Sequence, residues 1–189
     1  HAKKRDTNIS PYTQAMRHTL ERRQWMTERL HRAILEGRLE LYFQPQVDLH
    51  TQTLTGAEAL CHWHDPEWGW VSPGEFIPLA EERGLIRLLG DWVLEESARQ
   101  LSAWQSAGTP LPGRLSINIS AQQFADPRLT AHIATLTSSV SPSTIGLELT
   151  ESDFMCDPDQ AIIITHAMRK AGYALFIDDF GTGYSSLSY

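Results

Sequence analysis

The sequence predicts an α/β protein in which parallel strands are joined by helical crossovers. Two observations carry this. Downstream of Gly37, short apolar strand-like runs alternate with longer runs whose apolar residues recur every three or four positions, the pattern of strand–helix–strand units. Four successive strand-like runs each end on an oxygen-bearing side chain, and parallel α/β folds collect ligands at the C-terminal edge of their strands.

The elements follow in chain order. Residues 1–10 are polar and basic without periodicity, and read as a tail or linker. Over 11–37, Met16, Leu20, Met26, Leu30, Ala33 and Ile34 recur at helical spacing and Gly37 supplies a C-terminal stop. Such a helix either packs along the next domain or transmits motion to it. Residues 41–43 and 54–60 are expected strands, joined by a polar turn at 50–52. Residues 73–83 and 91–106 are expected helices, with Asp91 capping the second after Gly90. A turn over 108–113 leads into a strand at 115–119, then a helix over 121–137. A strand at 144–149, a helix at 158–171 stopped by Gly172 and a strand at 174–177 complete the order.

Composition narrows the class. A chain of 189 residues with 41% hydrophobic content can bury one sizeable core. A net charge of -7 and a pI near 5.6 argue against a DNA or RNA polymer as partner, which needs a basic surface. No apolar run has the length of a membrane helix. Cys61 and Cys156 lack CxxC spacing and suggest no disulfide framework. The expected location of this domain is therefore cytoplasmic.

The strand ends hold the chemistry. The strand closing at Ala57 delivers Glu58, and the next delivers Asn118. The following two deliver Glu148 and then the pair Asp178–Asp179. One such residue alone reads as a cap or turn residue. Adjacent carboxylates repel unless a cation or proton lies between them, and Gly181-Thr182-Gly183 follows directly. Oxygen donors without His or Cys suit Mg²⁺ or Mn²⁺ rather than Zn²⁺. The residues alone thus indicate a divalent-metal site suited to phosphate chemistry.

Five runs carry a family resemblance: Gly56–Leu60, Val71–Glu81, Asn118-Ile119-Ser120, Glu148–Ser152 and Asp178–Leu187. In this order and spacing they resemble the EAL domain, from about Leu39 onward. The resemblance implies a TIM-like (β/α) barrel of the EAL type with one antiparallel strand, C-terminally incomplete in this chain. It implies metal-dependent hydrolysis of cyclic di-GMP to linear pGpG, with Glu58, Asn118, Glu148 and Asp178 holding one metal and Asp179 the second. Glu58, Asp178 and Asp179 are the expected catalytic residues. Gln44, Leu60 and His62 resemble substrate contacts, and Glu151 matches a supporting position. His1–Asn8 is similar to the end of a GGDEF domain. Residues 1–10 would then close a preceding GGDEF-like domain, 11–37 form an interdomain helix and 38–189 the EAL domain. Self-association through the EAL domain or the linker helix is a further partner expectation.

Two departures from the family pattern bear on activity. His62 stands where the family has an arginine that contacts a substrate phosphate, and histidine is shorter and lacks the guanidinium fork. The family's later lysine, further metal-binding glutamate and C-terminal glutamine have no counterpart here. Hydrolysis is therefore assigned to the intact parent domain, with this chain alone expected to be inactive. The alternative is a degenerate EAL module that binds cyclic di-GMP as a receptor without cutting it.

Overall fold

The computed structural model describes residues 14–150 and 158–178. Helix α1 (Gln14–Leu35) buries Met26, Leu30, Ala33 and Ile34, one stripe at spacings of four, three and one. It stops at Gly37, whose φ of 62° lets the amides of Gly37 and Arg38 turn back to the carbonyls of Ile34 and Ala33. The helix lies on the domain that follows. Its buried stripe joins Trp63, Val71, Phe76, Leu79 and Leu89 in one apolar cluster.

Strands β1 (Leu39–Val47) and β2 (Leu54–Asp65) form a long antiparallel hairpin, and β3 (Gly69–Val71) adds to the end of β2. The Asp48 carboxylate shapes the hairpin turn by accepting bonds from the amides of His50 and Thr51 at 2.9 and 2.8 Å. Pro45 is tolerated because β1 is an edge of the described sheet. Helices α2 (Pro73–Glu82) and α3 (Ile86–Ser106) lead to β4 (Arg114–Asn118). Next come α4 (Ala121–Phe124), α5 (Leu129–Leu136), β5 (Ile145–Thr150), α6 (Pro158–Ala171) and β6 (Ala174–Asp178). The sheet order is β1-β2-β4-β5-β6; β2, β4, β5 and β6 run parallel and β1 runs against them. The described strands form an open sheet with the expected antiparallel β1, and the short β3 is a second antiparallel partner of β2.

Three expectations are corrected. Asp91 does not cap α3, which begins five residues earlier; its carboxylate pairs with His132 Nε2 at 2.8 Å. Gly90 is a crossing point and not a boundary, since a Cβ there would come within 2.1 Å of the Gln123 amide. The helix expected over 121–137 is two helices, because Pro127 brings no N–H to a helix interior. Glu58 lies inside β2 and not at its end, because β1 and then β3 keep the strand paired as far as Asp65. The short β3 was not foreseen.

The larger core lies between the helices and one face of the sheet, where Leu115, Ile117, Ile145 and Leu147 are fully buried. The α1 side is held by charge as well. Arg29 bonds Asp65 at 2.7 Å and also reaches Glu67, with its guanidinium 5.0 Å from the Trp68 ring centre. Asp65 is almost fully buried and also accepts from the amides of Glu67 and Trp68. Burial alone would raise its carboxyl, but the bonds from Arg29 and the two amides outweigh that and hold it below the ordinary carboxylate range.

Asp65→Ala leaves Arg29 and two backbone amides without their acceptor, and is expected to cost about 2–3 kcal/mol. Because the folded value is depressed, this stability is in place above the unfolded carboxylate value and is lost as pH falls through the folded one. Denaturant midpoints measured down an acid series should therefore fall less steeply in Asp65→Asn than in wild type. Parallel curves would show that Asp65 is not a source of acid sensitivity.

Candidate active site

Alternation along the strands sorts the sheet into two faces. Ala57, Ala59, Leu115, Ile117, Leu147 and Leu149 point to the helices and are buried. The register pairs Gln44 with Glu58, Glu58 with Ser116, Asn118 with Glu148 and Thr150 with Asp178. All of these residues therefore share the opposite face. The Asn118 amide donates to Glu58 Oε1 at 2.9 Å. That leaves the Asn118 carbonyl oxygen as a donor atom toward the same space.

The Glu148 carboxyl responds to its burial and to its charged neighbours. Burial, first, and the negative charges of Glu58 and Asp178 push the Glu148 carboxyl above its ordinary value, while a hydrogen bond from Ser116 pulls against them. Carboxylates and an amide oxygen on one face are the kind of oxygen donor that a hard divalent cation takes. Among the described residues, no three His, Cys, Asp or Glu side chains close on a single point. Asp179 and Glu151 lie outside the described residues.

Leu60 and His62 continue this face along β2 and, with Asn118 and Glu148, wall a cavity of about 450 Å³ whose apolar side includes Ile77 and Leu89. His62 is half-buried, its Nδ1 3.0 Å from the Leu60 carbonyl and its ring stacked on Tyr42 at 4.1 Å. A carbonyl only accepts, so Nδ1 carries the proton and Nε2 is the nitrogen left to meet a ligand. Gln44 is exposed on the edge strand directly opposite Glu58. Cys61, on the other face, has its thiol pushed up to about 12 by burial and stays protonated.

Sequence reasoning missed two supporting residues. Ser116 is buried and bonds Glu148. Phe176 lies so close over Gly146 that a Cβ there would come within 2.7 Å of its ring. Ser116 stands two residues before Asn118 and Gly146 two before Glu148; that period of two was the available signal.

A mostly parallel sheet of this topology, helices on one face and Glu58, Asn118, Glu148 and Asp178 on the other, defines an α/β protein with an acidic site on its open face. The EAL domain family matches residues 27–189, and the chain belongs to that family. The bifunctional diguanylate cyclase/cyclic di-GMP phosphodiesterase MucR of Pseudomonas aeruginosa is 41% identical over 162 residues, 85% of this chain and 24% of that protein. The cyclic di-GMP phosphodiesterase PA2567 of the same organism is 40% identical over 156 residues, 82% of this chain and 26% of that one. The chain thus spans about a quarter of the length of these relatives. The structure of the PaMucR phosphodiesterase in complex with c-di-GMP is similar at a TM-score of 0.80 and 38% identity, covering 86% of this chain and 66% of that one. The expected EAL fold is borne out. No helix among the described residues is long and apolar enough to cross a membrane.

Glu58→Gln keeps the acceptor for Asn118 and removes one charge that crowds Glu148. In excess chelator it is expected to stabilise the chain by up to about 1 kcal/mol, or about 2–4 °C in thermal midpoint. A midpoint at or below wild type would show that the carboxylates do not strain the fold.

Proposed function

We propose that this chain belongs to a phosphodiesterase that hydrolyses cyclic di-GMP to linear pGpG with Mg²⁺ or Mn²⁺. The observation that supports it most is the gathering of Glu58, Asn118, Glu148 and Asp178 on one sheet face, with the Glu148 carboxyl raised by burial and by its two charged neighbours. The relatives named above as cyclic di-GMP phosphodiesterases support the substrate.

Glu58, Asn118, Glu148 and Asp178 would hold one ion, and Asp179 would be a ligand of a second. Bound there, the ions would supply an activated water and neutralise the phosphodiester. Asn118 fixes the Glu58 carboxylate through its amide, and Ser116 does the same for Glu148. Gln44, Leu60 and His62 face the substrate from the β1–β2 side, with Nε2 of His62 toward the ligand. The carboxylates favour turnover over a receptor that binds without cutting, which only the exchange of arginine for His62 favours. The intact protein would join this domain to a GGDEF domain through α1.

Two measurements test the reading. In the intact domain, release of pGpG should stop on chelation and return with Mg²⁺ or Mn²⁺ but not with Ca²⁺, whose looser coordination activates water poorly. Glu58→Ala and Asp178→Ala should abolish turnover with the circular dichroism unchanged, and activity surviving in chelator or in Glu58→Ala would refute the mechanism. Separately, His62→Arg should tighten cyclic di-GMP binding about tenfold or more by restoring a charge-assisted contact, as read by titration in Ca²⁺. Equal affinities would mean that His62 does not face a phosphate.

A further inference from the structure

Around His62 stand three rings, Tyr42, His64 and Trp70, that the hydrolytic chemistry does not use. Tyr42 and His62 stack with 21° between their planes. Trp70 stands nearly upright to both, at 74° and 86°, with ring centres 6.1 and 6.2 Å away. His64 props the far side of Trp70 at 5.0 Å. These rings are not core. Trp70 is 55% and Tyr42 47% exposed, whereas Trp63, one position along β2 on the other face, is 1% exposed against Phe76.

The position of the group decides what it meets. Tyr42 pairs across the hairpin with Leu60, as Gln44 does with Glu58, so the rings begin one pleat repeat, about 7 Å, beyond the carboxylate level on the same face. Leu60 and His62 also wall the cavity that reaches Asn118 and Glu148. The surface is therefore continuous from the carboxylates to the rings. A nucleotide whose phosphodiester is held at the acidic end has only its neutral, planar bases to offer a corner of aromatic rings. Stacking on such rings is a general mode of base recognition.

We propose that Tyr42, His62 and Trp70 form a stacking subsite for one purine base of the cyclic dinucleotide, a role that rests on the phosphodiesterase reading above. The base extends the Tyr42–His62 stack, Trp70 closes its side, and His64 holds Trp70 upright. Base and phosphodiester then meet the same hairpin in different ways: the base stacks on ring faces, while the phosphodiester meets the Nε2 edge of His62 and the cation that the carboxylates would hold.

The test is titration of cyclic di-GMP into the intact EAL domain in Ca²⁺, for wild type, Trp70→Ala, Trp70→Phe and Tyr42→Leu, with thermal midpoints and sedimentation measured alongside. Trp70→Ala and Tyr42→Leu are expected to weaken binding about tenfold, while Trp70→Phe keeps most of the affinity because it keeps a ring face. If wild type binds and Trp70→Ala binds equally well, the subsite is wrong and the phosphodiesterase reading stands. If wild type does not bind, both fall together. Equal losses in Trp70→Ala and Trp70→Phe that follow the thermal midpoint would make the rings hairpin packing only. A dimer lost in Trp70→Ala with affinity unchanged would make them an interface between copies of this chain.

Discussion

Side-chain alternation in four parallel strands is the constraint on which this molecule depends. Each of β2, β4 and β5 sends apolar residues one way, into a core where Leu115, Ile117, Ile145 and Leu147 lose essentially all exposure. The same strands send Glu58, Asn118 and Glu148 the other way. A slip of one residue in any strand would exchange the two sets. Each buried Leu or Ile is worth roughly 1.5–3 kcal/mol, whereas a like-charge contact across neighbouring strands costs up to about 1 kcal/mol. The core therefore wins, and the carboxylates are held together on the opposite face despite their charge. Burial first, and then the charges of Glu58 and Asp178, raise the Glu148 carboxyl accordingly.

The antiparallel β1 depends on the same alternation. Paired to β2 along its whole length, it lays Tyr42 and Gln44 on the carboxylate face without a crossover. The Asp48 turn sets this register. Beyond the turn, β2 runs past the end of β4 and gains β3 as a new partner. That overhang carries His62, His64 and, through β3, Trp70. Its buried side carries Trp63 into the second apolar cluster, where α1 is seated. The Arg29–Asp65 bond and the Arg29–Trp68 contact tie the helix to the tip of this hairpin.

Much of this was legible in the chain. Apart from the short β3 and the break at Pro127, the order of strands and helices after Gly37 follows from local periodicity, which depends only on neighbouring residues. So does the oxygen-donor character of Glu58, Asn118, Glu148 and Asp178. What misled were single-residue signals whose meaning changes with packing. Gly90 and Asp91 look like a helix start, yet Gly90 is small because Gln123 of a later helix presses on it. Glu58 looks like a strand end, yet two neighbours keep the strand extended past it.

The sequence by itself determined the α/β class and which side chains could serve as hard ligands, because alternation and residue chemistry are local. Only the tertiary structure decided that Asn118 bonds Glu58 across 60 positions in the chain, that Ser116 steadies Glu148, and that Tyr42, His62 and Trp70 meet at one corner. Those contacts depend on strand register, and register is set by how the whole core packs and not by any one strand.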